Sequence, residues 1–261
     1  MPEGDTIRRL AHRLAPLVGQ VLERVTTQGL ERDLAGRTVT SVDAHGKHLL
    51  VDLDDGTQLR AHLGMNGRVR QYPRAAGDAV LARISPGRAS LAIVTNALVV
   101  LWINARTIEI AARRAPMRGL AVAALGPDVL GGEIDLDGVA ARARLHTTRT
   151  IADTLLDQCI AAGIGNIWKC EALFACGIDP RTRVGDLTRE EIASLYASAR
   201  EQMRASVAGR AAAGYRVYSR TNQPCHNCGT AISAYQLGDP PRWTWSCPRC
   251  QHVKRNTADT R

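Results

Sequence analysis

The strongest constraint on the fold of this chain is a pair of Cys-x2-Cys motifs near its C-terminal end, separated by 18 residues. Two such motifs at this spacing are typical of a tetrahedral zinc site with four thiolate ligands. Because sulfur fills all four coordination positions, the metal is expected to be structural rather than catalytic. The predicted ligands of this one structural zinc ion are Cys225, Cys228, Cys247 and Cys250.

The segment between the two motifs is predicted to form a ribbon of two strands, Ala231–Gln236 and Trp243–Ser246, that brings the motifs together. Arg242 lies in the loop of this ribbon, among prolines and tryptophans. A stiff loop that holds one arginine suits bidentate contact with a phosphate, and a solvated surface arginine is the alternative. The remaining cysteines are expected to be core residues on helices: Cys159, Cys170 and Cys176.

The hydrophobic pattern changes twice along the chain before the cysteine ribbon, from helical to strand-like and back to helical. Residues 5–18 indicate an amphipathic helix, with Asp5 or Thr6 as its cap. From Val21 to Ile110, short runs of Val, Leu and Ile are separated by Gly, Asp and Pro, which is typical of antiparallel strands. The predicted strands are Thr38–Val42, His48–Leu53, Gln58–Leu63, Ser90–Val94 and Leu98–Ile103. The predicted helices that follow are Leu136–Leu145, Ile151–Ala162, Ile167–Cys176 and Arg189–Gly209.

These patterns predict an α+β chain, with an N-terminal antiparallel β-sandwich flanked by helices and a helical C-terminal domain that ends in the metal module. We expect the sandwich to span residues 1–125 and a linker to span 126–135. The helical domain is expected at 136–214 and the zinc ribbon at 215–261.

The chain carries a formal net charge of +9 and 45% hydrophobic residues. The hydrophobic content allows a sizeable core, and the charge favours a polyanionic partner such as nucleic acid or an anionic membrane. The N-terminus lacks the pattern of a signal peptide, and the longest apolar run is far shorter than the ~20 residues of a spanning helix. We therefore expect a cytoplasmic protein with reduced cysteines and no membrane partner.

The sequence begins Met1-Pro2-Glu3-Gly4. A small second residue generally permits removal of Met1, which exposes the secondary amine of Pro2. Attack of that amine on a sugar C1′ yields an iminium ion, which acts as an electron sink and acidifies the C2′ hydrogens. Glu3 is placed beside it to act as a general acid or base.

Four blocks, in this order, resemble the formamidopyrimidine-DNA glycosylase / endonuclease VIII family over essentially the whole chain. The first is Pro2-Glu3-Gly4 and the second is Gly46-Lys47-His48-Leu49-Leu50. The third runs from Asp157-Gln158 through Gly163-Ile164-Gly165-Asn166-Ile167 to Glu171-Ala172-Leu173-Phe174. The fourth is the four-cysteine ribbon with Arg242.

The resemblance implies a bifunctional DNA glycosylase and AP lyase of base excision repair. Such an enzyme flips an oxidised base out of duplex DNA, removes it through a covalent Schiff-base intermediate and cuts the strand by β,δ-elimination. It implies no diffusible cofactor, a helix–two-turn–helix element, and DNA bound in a cleft between two domains. We also expect a monomer that acts at the bacterial nucleoid.

The resemblance also assigns roles to single residues. Pro2 is the nucleophile and Glu3 transfers protons, and Lys47 and Arg242 complete the catalytic set by contacting phosphates. Asn166 grips a phosphate together with backbone N–H groups at a helix start. The remaining DNA contacts are His62, Met65, which fills the hole left by the flipped base, and Glu171, which handles the lesion.

Three departures from the purine-specific branch favour oxidised pyrimidines as substrates. Asn104–Glu109 lacks the phenylalanine wedge of the purine-type enzymes, and Ala152 stands where they carry a lysine. The stretch from Arg204 to Val217 is short, whereas a flipped purine needs a longer covering loop. The block His62-Leu-Gly-Met-Asn-Gly67 points the other way, because it is similar to the purine-type sequence.

Several other functions remain open from the sequence. They are a purine-type glycosylase for 8-oxoguanine or formamidopyrimidine, a glycosylase for bulky alkylated or crosslinked bases, and a non-catalytic relative that only binds damaged DNA. An RNA-associated zinc-ribbon protein also fits the charge and the cysteines, but it leaves the N-terminal residues unexplained.

Overall fold

The computed structural model describes residues 2–85, 87–112, 124–210 and 214–254, and the chain divides into two compact units. The first unit comprises Met1–Pro2 and Thr6–Ala123. The second comprises Glu3–Asp5 and Ala124–Arg261. The three residues Glu3–Asp5 are therefore separated from their sequence neighbours and belong with the C-terminal half of the chain.

The first unit contains two antiparallel sheets, which confirms the predicted β-rich N-terminal part. One sheet has four strands: β3 (Val39–His45), β4 (His48–Leu53), β5 (Thr57–His62) and β9 (Thr107–Ala112), in that order. The other sheet has five strands: β1 (Leu22–Thr27), β2 (Leu30–Arg32), β6 (Arg68–Pro73), β7 (Ala89–Thr95) and β8 (Leu98–Ile103), in the order β2-β1-β7-β8-β6. The helix α2 (Arg74–Leu81) interrupts the strands.

The N-terminal helix α1 (Gly4–Arg13) packs its apolar face into the core of the first unit. Ile7, Leu10 and Leu14 recur at helical spacing and are buried, as the amphipathic pattern predicts. The helix is shorter than the predicted 5–18, and residues Ala15–Leu17 form a 3₁₀ turn. Pro16 explains the difference, because proline has no N–H to donate and its ring clashes with the preceding turn of an α-helix.

The second unit is helical: α3 (Leu136–Ala143), α4 (Ile151–Leu156), α5 (Asn166–Ala175) and α6 (Arg189–Val207) pack around a core of hydrophobic residues. Helix α6 begins with a full capping box, in which Thr188 and Glu191 each bond the other's backbone N–H. Residues 126–131 are tied to this unit, since Gly126 and Val129 donate backbone hydrogen bonds to Gln158 and Ala162.

The predicted helix Ile151–Ala162 is wrong in its second half. Helix α4 ends at Leu156, and residues 157–165, with a turn at 158–160, form a non-helical connection to α5. The side chain of Gln158 bonds the carbonyls of Leu156 and Ile164, so side-chain hydrogen bonds replace helical ones. As a consequence Cys159 lies in a turn and is exposed, contrary to the expected core position, whereas Cys170 is buried on α5.

The C-terminal ribbon consists of β10 (Ser233–Leu237) and β11 (Arg242–Ser246), paired antiparallel. This confirms the predicted ribbon to within a few residues. None of the helices in the described ranges combines the length and the apolar composition that crossing a bilayer requires.

Candidate functional site

The centre of the candidate site is the carboxylate of Glu3, which lies at the N-terminus of α5. Its Oε1 accepts the backbone N–H of Ile167 at 2.8 Å, and its Oε2 accepts those of Gly165 at 3.1 Å and Trp168 at 3.3 Å. The side chain of Glu3 is fully buried. The first N–H groups of a helix lack partners within the helix, and the helix dipole favours an anion there. Glu3 thus occupies a site that is built for a negative charge.

The Gly-rich turn before α5 leaves the space that this carboxylate needs. A Cβ at Gly165 would lie 2.3 Å from Cδ of Glu3, which is far inside van der Waals contact. The backbone at Gly165 is extended, so the space and not the backbone angle requires glycine. Gln158 fixes the turn, because it accepts the N–H of Gly163 and donates to the carbonyl of Ile164.

Asn166, the first residue of α5, links this helix to the zinc ribbon. Its Nδ2 donates to the carbonyl of Trp243 at 2.8 Å, and its Oδ1 accepts from Nζ of Lys169 at 2.7 Å. Lys169 also donates to the hydroxyl of Thr244 at 2.8 Å. Lys169 is almost completely buried, and this burial lowers the pKa of its ammonium group. Burying an ammonium group without hydrogen-bond partners is energetically unfavourable, so Oδ1 of Asn166 and the hydroxyl of Thr244 stabilise Lys169 in its buried position.

The expected contact of Asn166 and neighbouring backbone N–H groups with a phosphate stays a prediction. In the structure the N–H groups of Gly165, Ile167 and Trp168 are bound to Glu3. One hydrogen of the Asn166 amide is likewise taken by Trp243.

Glu171 lies one and a half turns further along α5 and is buried. Its Oε1 accepts the backbone N–H groups of Val217 and Tyr218, and its Oε2 accepts that of Arg216. Both of its oxygens therefore hold the segment that enters the zinc ribbon, and the expected role of Glu171 in handling a lesion stays a prediction.

Asp5 is a second buried carboxylate in this region. It accepts a hydrogen bond from the indole Nε1 of Trp168 at 3.0 Å and from the hydroxyl of Ser206 at 2.7 Å. It lies inside α1 and does not cap it, so its predicted role as a helix cap is wrong.

The four cysteines of the ribbon converge, and their sulfur atoms all lie within 4.8 Å of one another. The Sγ atoms of Cys225 and Cys250 are 3.9 Å apart, and those of Cys228 and Cys247 are 3.5 Å apart. Ligand sulfurs at the edges of a tetrahedron around zinc are about 3.8 Å apart, from a Zn–S distance of ~2.3 Å. The four thiols therefore fit one structural metal ion. Arg242 begins β11 and is exposed, as expected for a residue that contacts a ligand.

Two of the predicted residues, Lys47 and His62, lie at one end of the four-stranded sheet. Lys47 lies in the two-residue turn between β3 and β4. The strand register places His45, His48 and His62 side by side at this end, with ring centroids of His48 and His62 5.0 Å apart. Arg106 joins them through its backbone N–H, which donates to the carbonyl of His62.

His48 and His62 are held neutral by their surroundings. Burial lowers the pKa of His48 to about 4, and the neighbouring cationic groups act in the same direction. The pKa of His62 is lowered by burial and then by Lys47 and Arg106. The Nδ1 of His62 accepts the N–H of Gly64, so its hydrogen is on Nε2 in the neutral form. This end of the sheet presents cationic and N–H donor groups.

Met65 is 70% exposed in the turn after β5, so core packing does not account for it. Ala152 is buried on α4. The stretch from Arg204 to Val217 includes residues 211–213, which lie outside the described residues, as does Met1. Pro2 is half-buried and directly precedes Glu3.

Sequence reasoning missed Lys169 and Thr244, and it took Asp5 for a helix cap. In the sequence, Lys169 is an ordinary helical lysine, and only the approach of β11 to α5 buries it.

Two parts of the chain match families of known proteins. Residues 1–94 match the family described as "Formamidopyrimidine-DNA glycosylase N-terminal domain". Residues 125–216 match the one described as "Formamidopyrimidine-DNA glycosylase H2TH domain".

Among similar proteins, a probable endonuclease 8 2 of Streptomyces coelicolor is 35% identical, over 96% of this chain and 94% of that protein. A formamidopyrimidine-DNA glycosylase of Rhizorhabdus wittichii is 32% identical, over 96% of this chain and all of its own length. The crystal structure of MutM (Fpg) from Thermus thermophilus is similar with a TM-score of 0.80 and 28% identity, and the match covers 97% of this chain and 99% of that one.

The close approach at Gly165 gives a direct test of the Glu3 site. We expect Gly165→Ala to lower the free energy of unfolding by about 1–3 kcal/mol, because the added methyl group displaces the Glu3 carboxylate from its N–H donors. Gly132→Ala is the matched control, since a Cβ there meets nothing within 4 Å. Urea unfolding of both variants measures the difference, and equal stabilities would contradict the described approach.

Proposed function

The chain belongs to the formamidopyrimidine-DNA glycosylase / endonuclease VIII family of DNA glycosylases with AP lyase activity, and on this premise we propose that it excises oxidised bases through a Schiff base on Pro2. The observation that carries the proposal is the buried Glu3 carboxylate, which directly follows Pro2 in the chain and is held by the N-terminus of α5. Such a held carboxylate is suited to proton transfer at one fixed position.

In this mechanism the neutral Pro2 nitrogen attacks C1′ of the damaged nucleotide. The glycosidic C–N bond breaks, and the base departs with the electron pair and receives a proton. The Pro2 nitrogen then loses its proton, and the C1′–O4′ bond breaks while O4′ takes up a proton, which opens the sugar ring and gives an iminium ion. The iminium ion draws electrons from C2′, so loss of a C2′ proton expels the 3′ phosphate, and a second elimination with loss of the C4′ proton expels the 5′ phosphate. Hydrolysis of the product imine then frees Pro2.

The hydrogen bonds of Glu3 fix its position for this work. Its two oxygens accept the backbone N–H groups of Gly165, Ile167 and Trp168, so the carboxylate that follows Pro2 in the chain is held in one orientation. A carboxylate held in this way is suited to exchange a proton at the sugar.

We propose that DNA is held by cationic groups of both units. In the first unit, Lys47 and Nε2 of His62 donate to phosphates, and the exposed Met65 fills the place of the flipped base. In the second unit, Arg242 contacts a phosphate, and Asn166 contributes the amide hydrogen that Trp243 does not take. The net charge of +9 supports a polyanionic ligand.

For the lesion, we propose a preference for oxidised pyrimidines, which rests on Ala152 and on the missing phenylalanine in Asn104–Glu109. The purine-type substrates 8-oxoguanine and formamidopyrimidine are the alternative, favoured by the His62–Gly67 block. The names of the similar proteins divide between the two branches.

For the ribbon, we propose that the metal is zinc. Four thiolates at tetrahedral spacing suit this ion, and no coordination position is left for a reacting water.

The nucleophile is tested by borohydride trapping on DNA that contains an abasic site. We expect the wild-type protein to form a covalent adduct, Pro2→Gly to form less of it, and a protein with a blocked or retained Met1 to form none, because the secondary amine is then absent. An adduct of normal yield on a protein that retains Met1 would refute the role of Pro2.

The metal is tested by its content and by its removal. We expect about one zinc ion per chain, and we expect Cys247→Ser to release it and to weaken DNA binding, because the ribbon that carries Arg242 depends on the metal for its fold. Cys159→Ser is the control, since Cys159 is exposed and lies outside the cluster. Full DNA binding by a zinc-free protein would contradict this account.

We call the proposed phosphate contacts of Lys47, Arg242 and Asn166 the clamp. It is tested by the salt dependence of DNA affinity. We expect Lys47→Ala and Arg242→Ala each to weaken binding and to reduce the slope of log K against log salt by about one unit, since each removes one phosphate contact. Asn166→Ala removes a neutral group and should leave the slope unchanged. Arg183→Ala, which removes an exposed arginine outside the site, is the control. An unchanged slope for Arg242→Ala would exclude its phosphate contact.

A further inference from the structure

Half of the aromatic side chains of this protein form one continuous row in the second unit. The chain has ten Trp, Tyr and Phe residues in 261. Five of them follow one another with ring centroids 6.4, 5.3, 4.7 and 6.5 Å apart. We call these five residues the aromatic row, and in order they are Trp168, Tyr215, Tyr218, Trp245 and Trp243.

The inner members of the row have packing roles. Trp168 is buried and donates its indole N–H to Asp5. Tyr218 and Trp245 pack against the apolar cluster beneath the ribbon. Two members are open to solvent, with Tyr215 39% and Trp243 53% exposed. The packing of the protein core therefore does not explain why a tryptophan stands at position 243.

The strand places Trp243 on the outer face of the ribbon. Side chains alternate along a strand, so Trp243 and Trp245 share one face, whereas Thr244 points inward, where it is buried and binds Lys169. The side chain of Asn166, the first residue of α5, donates a hydrogen bond to the backbone carbonyl of Trp243. The N–H group of the next residue in α5 bonds to Glu3. Trp243 thus presents an exposed ring on a backbone that is bonded to the first turn of α5, and the same turn bonds the Glu3 carboxylate.

The charges beside the row suit a nucleic acid strand. Arg242 precedes Trp243 and is exposed, and Arg216 lies between Tyr215 and Tyr218 in the chain, with its guanidinium over the ring of Phe174. Aromatic rings interleaved with arginines are the usual way in which proteins bind unpaired nucleotides, because the rings stack on bases while the cations contact the backbone.

We propose that Trp243 is a stacking platform for an unpaired nucleobase of the DNA substrate, with Tyr215 at the other exposed part of the row. This inference rests on the proposed function in that it takes DNA as the ligand, and it adds a base contact to the phosphate contacts of the clamp. An unpaired base is the fitting occupant, since a base within an intact duplex has both faces covered by its neighbours.

The test compares Trp243→Ala with the wild-type protein in binding three probes. They are a single-stranded oligothymidylate, a duplex with a central abasic-site analogue, and the same duplex fully paired. We expect affinity for the first two to fall by about 5- to 100-fold, as for one lost base–aromatic contact, and affinity for the paired duplex to change less than about two-fold. Because the side chain is neutral, the salt slope should not change.

Two controls separate stacking from a general loss of structure. Trp243→Phe keeps an aromatic face and should retain most of the affinity. Leu145→Ala removes another apolar side chain, 79% exposed, and should bind like the wild type. Unchanged binding of oligothymidylate by Trp243→Ala, or an equal loss in Trp243→Phe and Trp243→Ala, would overturn the proposal.

Fluorescence keeps the test decisive if Trp243→Ala folds poorly. Stacking on a base quenches an indole, so oligothymidylate should quench the emission of the wild-type protein, and Trp243→Phe should lose this quenching while it still binds. Quenching that is the same in both proteins would exclude Trp243 as the stacking residue. Borohydride trapping on abasic DNA is measured separately, so a failure of the glycosylase proposal is distinguishable from a failure of this one.

Discussion

The second unit is organised around one electrostatic contact, that of the Glu3 carboxylate with the N-terminus of α5. A buried carboxylate is unfavourable unless its oxygens are hydrogen-bonded, and here three backbone N–H groups fulfil this need. The same contact satisfies N–H groups that a buried helix start would otherwise leave without partners. It also explains why Glu3–Asp5 belong to the C-terminal unit while Thr6 and the residues after it do not.

Helix α5 connects the Glu3 contact to the zinc ribbon through buried polar side chains. Asn166 bonds the backbone of Trp243, Lys169 bonds Thr244, and Glu171 receives three N–H groups of residues 216–218. Each of these polar side chains is buried, so each bond is formed away from competing water and is correspondingly important. A metal that holds the four cysteines together thereby also fixes the strand that carries Arg242 and Trp243.

The sequence was informative where a local pattern decides the structure. Strands β4 and β8 lie where alternating and continuous apolar runs predict them, and the four cysteines meet as their spacing predicts. The end of α4 was not predictable from periodicity, because the side chain of Gln158 competes with the helical hydrogen bonds. The helix α2 was missed for a different reason, because it is short and lies within a run of strands.

The residues of the candidate site also fall into two groups, those that sequence motifs indicate and those that only tertiary contacts reveal. The family resemblance singled out Glu3, Lys47 and Arg242 by their motifs. The roles of Lys169, Glu171 and Trp243 depend on which segments pack against α5, and no local pattern encodes that. A lysine or a glutamate in a helix is most often a solvated surface residue. Only the tertiary contacts identify Lys169 as a buried link and Glu171 as an anchor of the backbone.

The most direct test of the account is single-turnover base excision by Glu3→Gln. The substrate is a duplex with an oxidised pyrimidine on which the wild-type protein is active, and the same duplex with a preformed abasic site serves for comparison. Our account predicts that excision falls by about 10²–10⁴-fold, because a positioned proton-transfer group is lost, while cutting at the preformed site persists. Excision at the wild-type rate would contradict the central role of Glu3.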